Sequence, residues 1–307
     1  MPSLEEQYAM SSEFAGAPLV ATAGTYYPDL EDVRFELSLT TAEAYRDSGV
    51  PYVIVDASPA QNKIDAFVNK AYTNRGAMVV RADTAGIATQ RQQGVRVALA
   101  NGAEKILGSE PEKTGMANFA PQVSKALDAY DVLVVGRTEN GENSLPPVQQ
   151  RTERLAGWIL QRTLDLPFDS LAGPRGFTVA GAEQLAKYPA HEAGMNNWIY
   201  LYKTPLDARE AGLAIGGLVV DLTYPEKMVA QETGNDFFDA KRYMQFGLQL
   251  DHLLRRPDVN PQSLDIARTV LDGLVGLGNK PTNDAYDLYI SGLERDFAPK
   301  GYKPAKR

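Results

Sequence analysis

Three short polar groups, each closing an apolar run, hold the residue types that could do chemistry in this chain: Thr22 to Thr25, Asp56-Ala-Ser58 and Glu110-Pro-Glu112. In an open α/β sheet, ligands bind outside the carboxyl ends of parallel strands. Three such ends lying side by side would make a crevice of the kind that takes nucleotides. A single carboxylate in that position often only caps the next helix, so the argument rests on the three together. The chain has no cysteine and only two histidines, His191 and His252. That removes disulfides, thiol catalysis, iron–sulfur clusters and zinc held by cysteine or several histidines. Any catalytic metal would have to be a hard cation on oxygen ligands, such as Mg²⁺ or Mn²⁺.

The elements needed to position these groups can be read from apolar runs and punctuation. Strands are expected at 18–23, 51–56, 77–80, 104–108 and 131–135, alternating with helical patterns in the α/β manner. Thr40 with Glu43 has the form of a capping box opening a short helix that Gly49 closes. A helix from about Gly86 to Ala100 places Val95, Ala98 and Leu99 inward. Pro146-Pro147 suits a helix start, and Leu171 to Phe177 reads as a loop entering a short strand. A helix through Trp198 to Ala211 and a strand at 214–220 follow. From about Asp236 the pattern is helical, broken at Arg256-Pro257 and near Gly276. The expectation is an α/β fold with a mixed, mostly parallel sheet flanked by helices and a helical C-terminal extension. Its parts would be 1–113 for donor binding, 114–235 for the acceptor and 236–307 for the extension.

With 307 residues, 44% of them hydrophobic and 23% charged, the chain is ample for a real core. A net charge of −8 disfavours nucleic acid as a partner. No run is long and apolar enough to span a membrane. Met1 to Phe14 lacks the apolar core of a signal peptide, so a soluble, cytoplasmic protein is expected. The basic tail from Lys300 reads as a solvated terminus or a peripheral contact with anionic lipid.

Tyr52-Val-Ile-Val-Asp-Ala-Ser58, Gly86-Ile-Ala-Thr-Gln-Arg-Gln-Gln-Gly94 and the run ending in Glu110-Pro-Glu112 resemble nucleotide-sugar glycosyltransferases of the GT-A (Rossmann-like) fold. The nearest resemblance is to the family 2 group that includes polyprenyl-phosphate sugar synthases. Asp169-Ser-Leu-Ala-Gly-Pro-Arg-Gly-Phe177 is similar to that family's acceptor-half loop, and the likeness covers roughly 18–225. It implies a nucleoside-diphosphate sugar as donor and a small-molecule or lipid-phosphate acceptor. Carried over by residue, Asp56 would contact the nucleoside, with Ser58 beside it and Thr22, Gly24 and Thr25 lining the pocket. Asp83 would touch base or ribose, while Arg91, Lys113 and Arg137 would approach the diphosphate. Glu110 and Glu112 stand where the family binds Mg²⁺ or Mn²⁺, with Asp221 as a third candidate ligand. Glu-Pro-Glu departs from the family's Asp-x-Asp, and Lys113 offers a cationic substitute for part of the metal's charge.

Sugar transfer to an alcohol needs a base. The family's acid falls near Asn196 and Asn197, which are not bases. Glu192 or His191 could serve after a local shift; the acceptor could already be ionised; or the leaving diphosphate could take the proton. Arg175 and Asp169 would orient the acceptor. The C-terminal helices could cap the acceptor side or form a homodimer interface. Two other functions remain open: a sugar-phosphate nucleotidyltransferase, disfavoured because no basic residue follows the first strand before Arg34, and a non-catalytic nucleotide-binding or scaffolding relative.

Overall fold

The computed structural model describes residues 16–164, 172–192, 195–255 and 261–276. They form two compact units, one of 16–144 with 172–231 and one of 145–164 with 232–276.

The larger unit is built on a seven-stranded sheet. In chain order its elements begin with β1 (Val20–Thr25), α1 (Val33–Asp47), β2 (Tyr52–Asp56), α2 (Ile64–Thr73), β3 (Met78–Arg81), α3 (Ile87–Ala100) and β4 (Lys105–Gly108). After a 3₁₀ turn come α4 (Ala120–Ala126), β5 (Val132–Arg137) and α5 (Glu139–Asn143). The chain continues, in the smaller unit, with α6 (Pro147–Leu164). It then returns to the sheet with β6 (Arg175–Thr178), α7 (Val179–Ala186), α8 (Tyr200–Glu210), β7 (Ile215–Val220) and α9 (Glu226–Glu232). The strand order is β3-β2-β1-β4-β6-β5-β7. All pairings are parallel except those of β6, which runs antiparallel to β4 and β5. The fold class expected from the sequence, a mixed and mostly parallel sheet flanked by helices, is the one observed.

β2 and β5 read as unbroken apolar runs because both of their faces are covered. On one face Ala21, Ala23, Tyr52, Ile54, Leu107 and Leu133 share a core with Phe35, Tyr45, Val68, Tyr72 and Val123 from α1, α2 and α4. The alternate residues of the strands face α3. There Gly94 lets the helix backbone come close, since a Cβ would sit 3.2 Å from Thr22 and 3.5 Å from Val55. Helix α1 starts earlier than the capping-box reading placed it. Asp32 caps it by accepting from the Arg34 N–H at 2.9 Å, and Thr40 lies inside the helix, its hydroxyl turned back to the Glu36 carbonyl. The stronger cap upstream wins, while Gly49, at φ +70°, closes the end as expected.

In the smaller unit α6 packs against α10 (Asp236–Leu254) and α11 (Pro261–Gly276). Tyr243, Phe246, Leu250 and Leu253 form the buried stripe of α10, the spacing of an amphipathic helix. No helix among the described residues is long and apolar enough to cross a membrane.

Candidate functional site

The strand order reverses at β1: β2 and β3 build outward on one side, and β4 lands on the other. Such a reversal parts the loops at the carboxyl ends and leaves a crevice there. Thr25 ends β1, Asp56 ends β2 in direct register with it, and Ser109-Glu110 follows β4. The Ser109 N–H donates to the Thr22 carbonyl at 2.9 Å, which carries the β1–β4 pairing to the edge of that crevice.

Asp56 is 2% exposed. Its Oδ1 accepts from Thr25 Oγ1 at 2.8 Å, Ser58 Oγ at 2.7 Å and Ser58 N at 3.1 Å. Ser58 Oγ in turn accepts from the Tyr27 N–H at 3.0 Å. Oδ2 faces the half-exposed Arg81 at 3.6 Å. One carboxylate thus ties together the ends of β1 and β2 and the loops after them. Three of the residues expected at the nucleoside pocket, Thr25, Asp56 and Ser58, form a single network. Gly24 lies alongside it against Gln90, where a Cβ would meet Gln90 Cβ at 2.8 Å. Asp83 is exposed on the loop after β3, its N–H donating to Gln93 Oε1.

Glu110 is the second centre. It is 5% exposed, and both its oxygens face cations: Lys113 Nζ lies 3.3 Å from Oε2 and Arg91 Nη2 lies 3.6 Å from Oε1. Lys113 also donates to the Ala172 carbonyl. Burial by itself would lift the Glu110 carboxyl, but Lys113 and Arg91 more than offset it and hold it below its ordinary value. The neighbouring Glu112, half-buried, goes the other way: burial and then the Glu110 charge push it up. Gly173 completes the enclosure. Its φ is +88°, and a Cβ there would fall 2.1 Å from Glu110 Oε1, so only glycine lets the loop pass.

Arg91 is not at the surface where a diphosphate would meet it. It is 3% exposed and runs under the sheet, with Nη1 donating to the Thr22 carbonyl at 3.2 Å. Arg175 is buried too, donating to the carbonyls of Pro174 and Leu201. With Thr22, Gly173 and Tyr200 the two arginines line a cavity of about 10 Å³, the space of one water and too small for a phosphate. Arg137 is buried at the end of β5. Asp221 belongs to a separate cluster, accepting from Thr138 Oγ1 and from Asn140 Nδ2, and these bonds lower its carboxyl. Asp221 follows β7, and its partners come from the segment after the neighbouring β5, not from the loop after β4. Among the described residues no group of three or more His, Asp or Glu side chains could hold a metal ion. With both Glu110 oxygens already facing cations, the residues present do not fit an Mg²⁺ or Mn²⁺ bound by the protein's own carboxylates.

His191 and Glu192 are exposed on the loop before α8. Asp169 and the side chain of Trp158 lie outside the described residues. Three buried glutamines to which sequence reasoning gave no role, and the partly buried Asn196, prove structural in a consistent way. Gln90 Nε2 donates to the carbonyls of Thr25 and Val55, Gln93 Nε2 to Arg81, and Gln92 Nε2 to Ala186 and Tyr188. Asn196 Oδ1 accepts from the N–H groups of Ala88 and Thr89, capping α3 from more than a hundred residues away. The available signal was the run Gln90-Arg-Gln-Gln93, four long polar side chains in succession on a helix that must pack on a sheet.

No family model and no curated protein matches the chain. Among solved structures it is similar to a mannosyltransferase from Pyrobaculum calidifontis in complex with GDP-Man and Mn²⁺, at 13% identity and a TM-score of 0.49, covering 95% of this chain and 85% of that one. Glucosyl-3-phosphoglycerate synthase from Mycobacterium tuberculosis, in complex with Mn²⁺, uridine diphosphate and phosphoglyceric acid, matches at 13% identity and a TM-score of 0.48, covering 82% and 83%. Mannosyl-3-phosphoglycerate synthase from Rubrobacter xylanophilus matches at 10% identity and a TM-score of 0.38, covering 82% and 79%.

Proposed function

We propose that this chain is a GT-A glycosyltransferase that moves a sugar from a nucleoside-diphosphate sugar to a small or a phosphate- or carboxylate-bearing acceptor. The observation that carries the reading is the placement of two acidic centres at one reversal of strand order: Asp56 with Thr25 and Ser58 on one side, Glu110 and Glu112 with Lys113 on the other. In this reading the Asp56 network forms the nucleoside wall, and the half-buried Lys113 offers its charge to the diphosphate as the bond to the sugar breaks. Arg91 and Arg175 act behind that wall by fixing Glu110 and the Gly173 loop. Glu192 or His191, both exposed, would take the proton of an alcohol acceptor; a phosphate or carboxylate acceptor needs neither.

The expected Mg²⁺ or Mn²⁺ enters no step here, because the carboxylates do not fit it. A second reading, a nucleotide-binding chain that transfers nothing, is favoured by the sealing of Asp56 and Glu110 by protein partners. Thermal-shift measurements with a panel of nucleoside diphosphates and their sugars should show selective stabilisation. A transferase should also release nucleoside diphosphate slowly from the bound sugar nucleotide in water. Indifference to every nucleotide would end both readings, and binding without release would leave the second.

A further inference from the structure

We propose that Lys113 occupies the place of a divalent cation beside Glu110 and Glu112, so that this acidic pair binds no Mg²⁺ or Mn²⁺ and the donor site works on a covalently tethered charge. The argument starts from Glu110. A hard cation needs carboxylate oxygens at about 2.0–2.2 Å, together with room for the waters it keeps. Here Oε2 faces Lys113 Nζ at 3.3 Å and Oε1 faces Arg91 Nη2 at 3.6 Å. The remaining side is closed by Gly173, whose backbone comes so near that even a methyl group would strike Oε1.

Lys113 is held there. Its ammonium also donates to the Ala172 carbonyl, and its side chain is 12% exposed. The same loop, Ala172-Gly173, therefore both positions the cation and encloses the carboxylate. Arg91 cannot swing away to make room, since it is 3% exposed and tied to Thr22 under the sheet. Glu110 faces two permanent cations, and with Glu112 the four ionised side chains sum to no net charge. An added divalent ion would leave this half-buried cluster doubly positive, at a high desolvation cost. The pair alone, relieved of the ammonium, has the donor atoms an ion wants. Lys113 is thus the residue that decides against metal.

The experiment is a Mn²⁺ titration of the full chain followed by electron paramagnetic resonance, in which bound ion loses the free-ion signal. The wild type should leave Mn²⁺ free. Lys113→Met, with Lys113→Gln as a milder alternative, should gain affinity by about tenfold or more. The gain should disappear when Glu112→Gln is added. Stoichiometric Mn²⁺ binding by the wild type that is lost in Glu112→Gln would overturn the proposal, and so would a folded Lys113 variant that gains nothing. A second measurement rests on the proposed donor site: stabilisation by UDP or GDP should be equal in EDTA and in Mn²⁺. Stabilisation that needs Mn²⁺ would overturn the proposal. Failure of both nucleotides to stabilise would count against the donor reading instead, while the metal titration still decides the role of Lys113.

Discussion

Glu110 and Glu112 are two residues apart and chemically alike, yet their surroundings drive them in opposite directions. The Glu110 carboxyl is lowered in the folded state, so its contribution to stability is present above the ordinary carboxylate range. It fades as pH falls through the folded value. Glu112 is raised, so its ionised form costs stability above its folded value, and the cost disappears as acid protonates it. Glu112→Gln should therefore raise Tm at neutral pH by about 2 °C, on the scale set by ~1 kcal/mol in a domain of this size. That gain should vanish on acidification. Glu110→Gln should do the reverse, costing about 3–5 kcal/mol near neutrality by leaving Arg91 buried against a neutral partner. The deficit should shrink in acid. Urea unfolding of the two variants across the pH range checks both signs.

Among the elements, α3 holds the site together. Its glutamines occupy carbonyls at the ends of β1, β2, β3 and α7, its Arg91 reaches Glu110, and its first turn is capped by Asn196. The cap and Gly86 were shaped together: a Cβ at Gly86 would lie 2.1 Å from the Asn196 amide. Asn196→Ala should cost about 1 kcal/mol, the usual worth of a lost cap. Asn196→Asp, which keeps the accepting oxygen, should restore most of it. Hydrogen exchange at the Ala88 and Thr89 amides would separate this local effect from global destabilisation, because only those amides lose their partner.

At the scale of the whole molecule, the chain divides into a sheet-based unit and a helical unit, each with its own buried apolar residues. Chains built this way seldom unfold in one step. Calorimetry should give a measured enthalpy larger than the van't Hoff value, with two overlapping transitions. A nucleoside diphosphate should raise only the transition of the larger unit, which holds the entire Asp56 and Glu110 site. A uniform shift of both would place binding determinants in the helical unit as well.

Local signals were enough to read the alternation of elements. β2, α3, β5, α8 and β7 fall within two residues of where apolar runs, glycines and prolines put them, because those signals act over a single turn or strand. The strand ends Asp56-Ala-Ser58 and Glu110-Pro-Glu112 were legible for the same reason, a polar group closing a buried run. What the acids face was not legible. Arg91 could have met solvent or a phosphate; only the close approach that Gly94 allows turns it under the sheet toward Glu110. Asp221 could have joined the acidic pair; pairing of β7 with β5 instead sets it against Thr138 and Asn140. Asn196, near the place of the family's acid but no base, had no role until it proved to cap α3, a contact spanning 108 residues that no local pattern encodes. Sequence by itself determined which residues end the strands. Tertiary structure decided their charge partners, because those are set by which strands become neighbours and how closely a helix may approach.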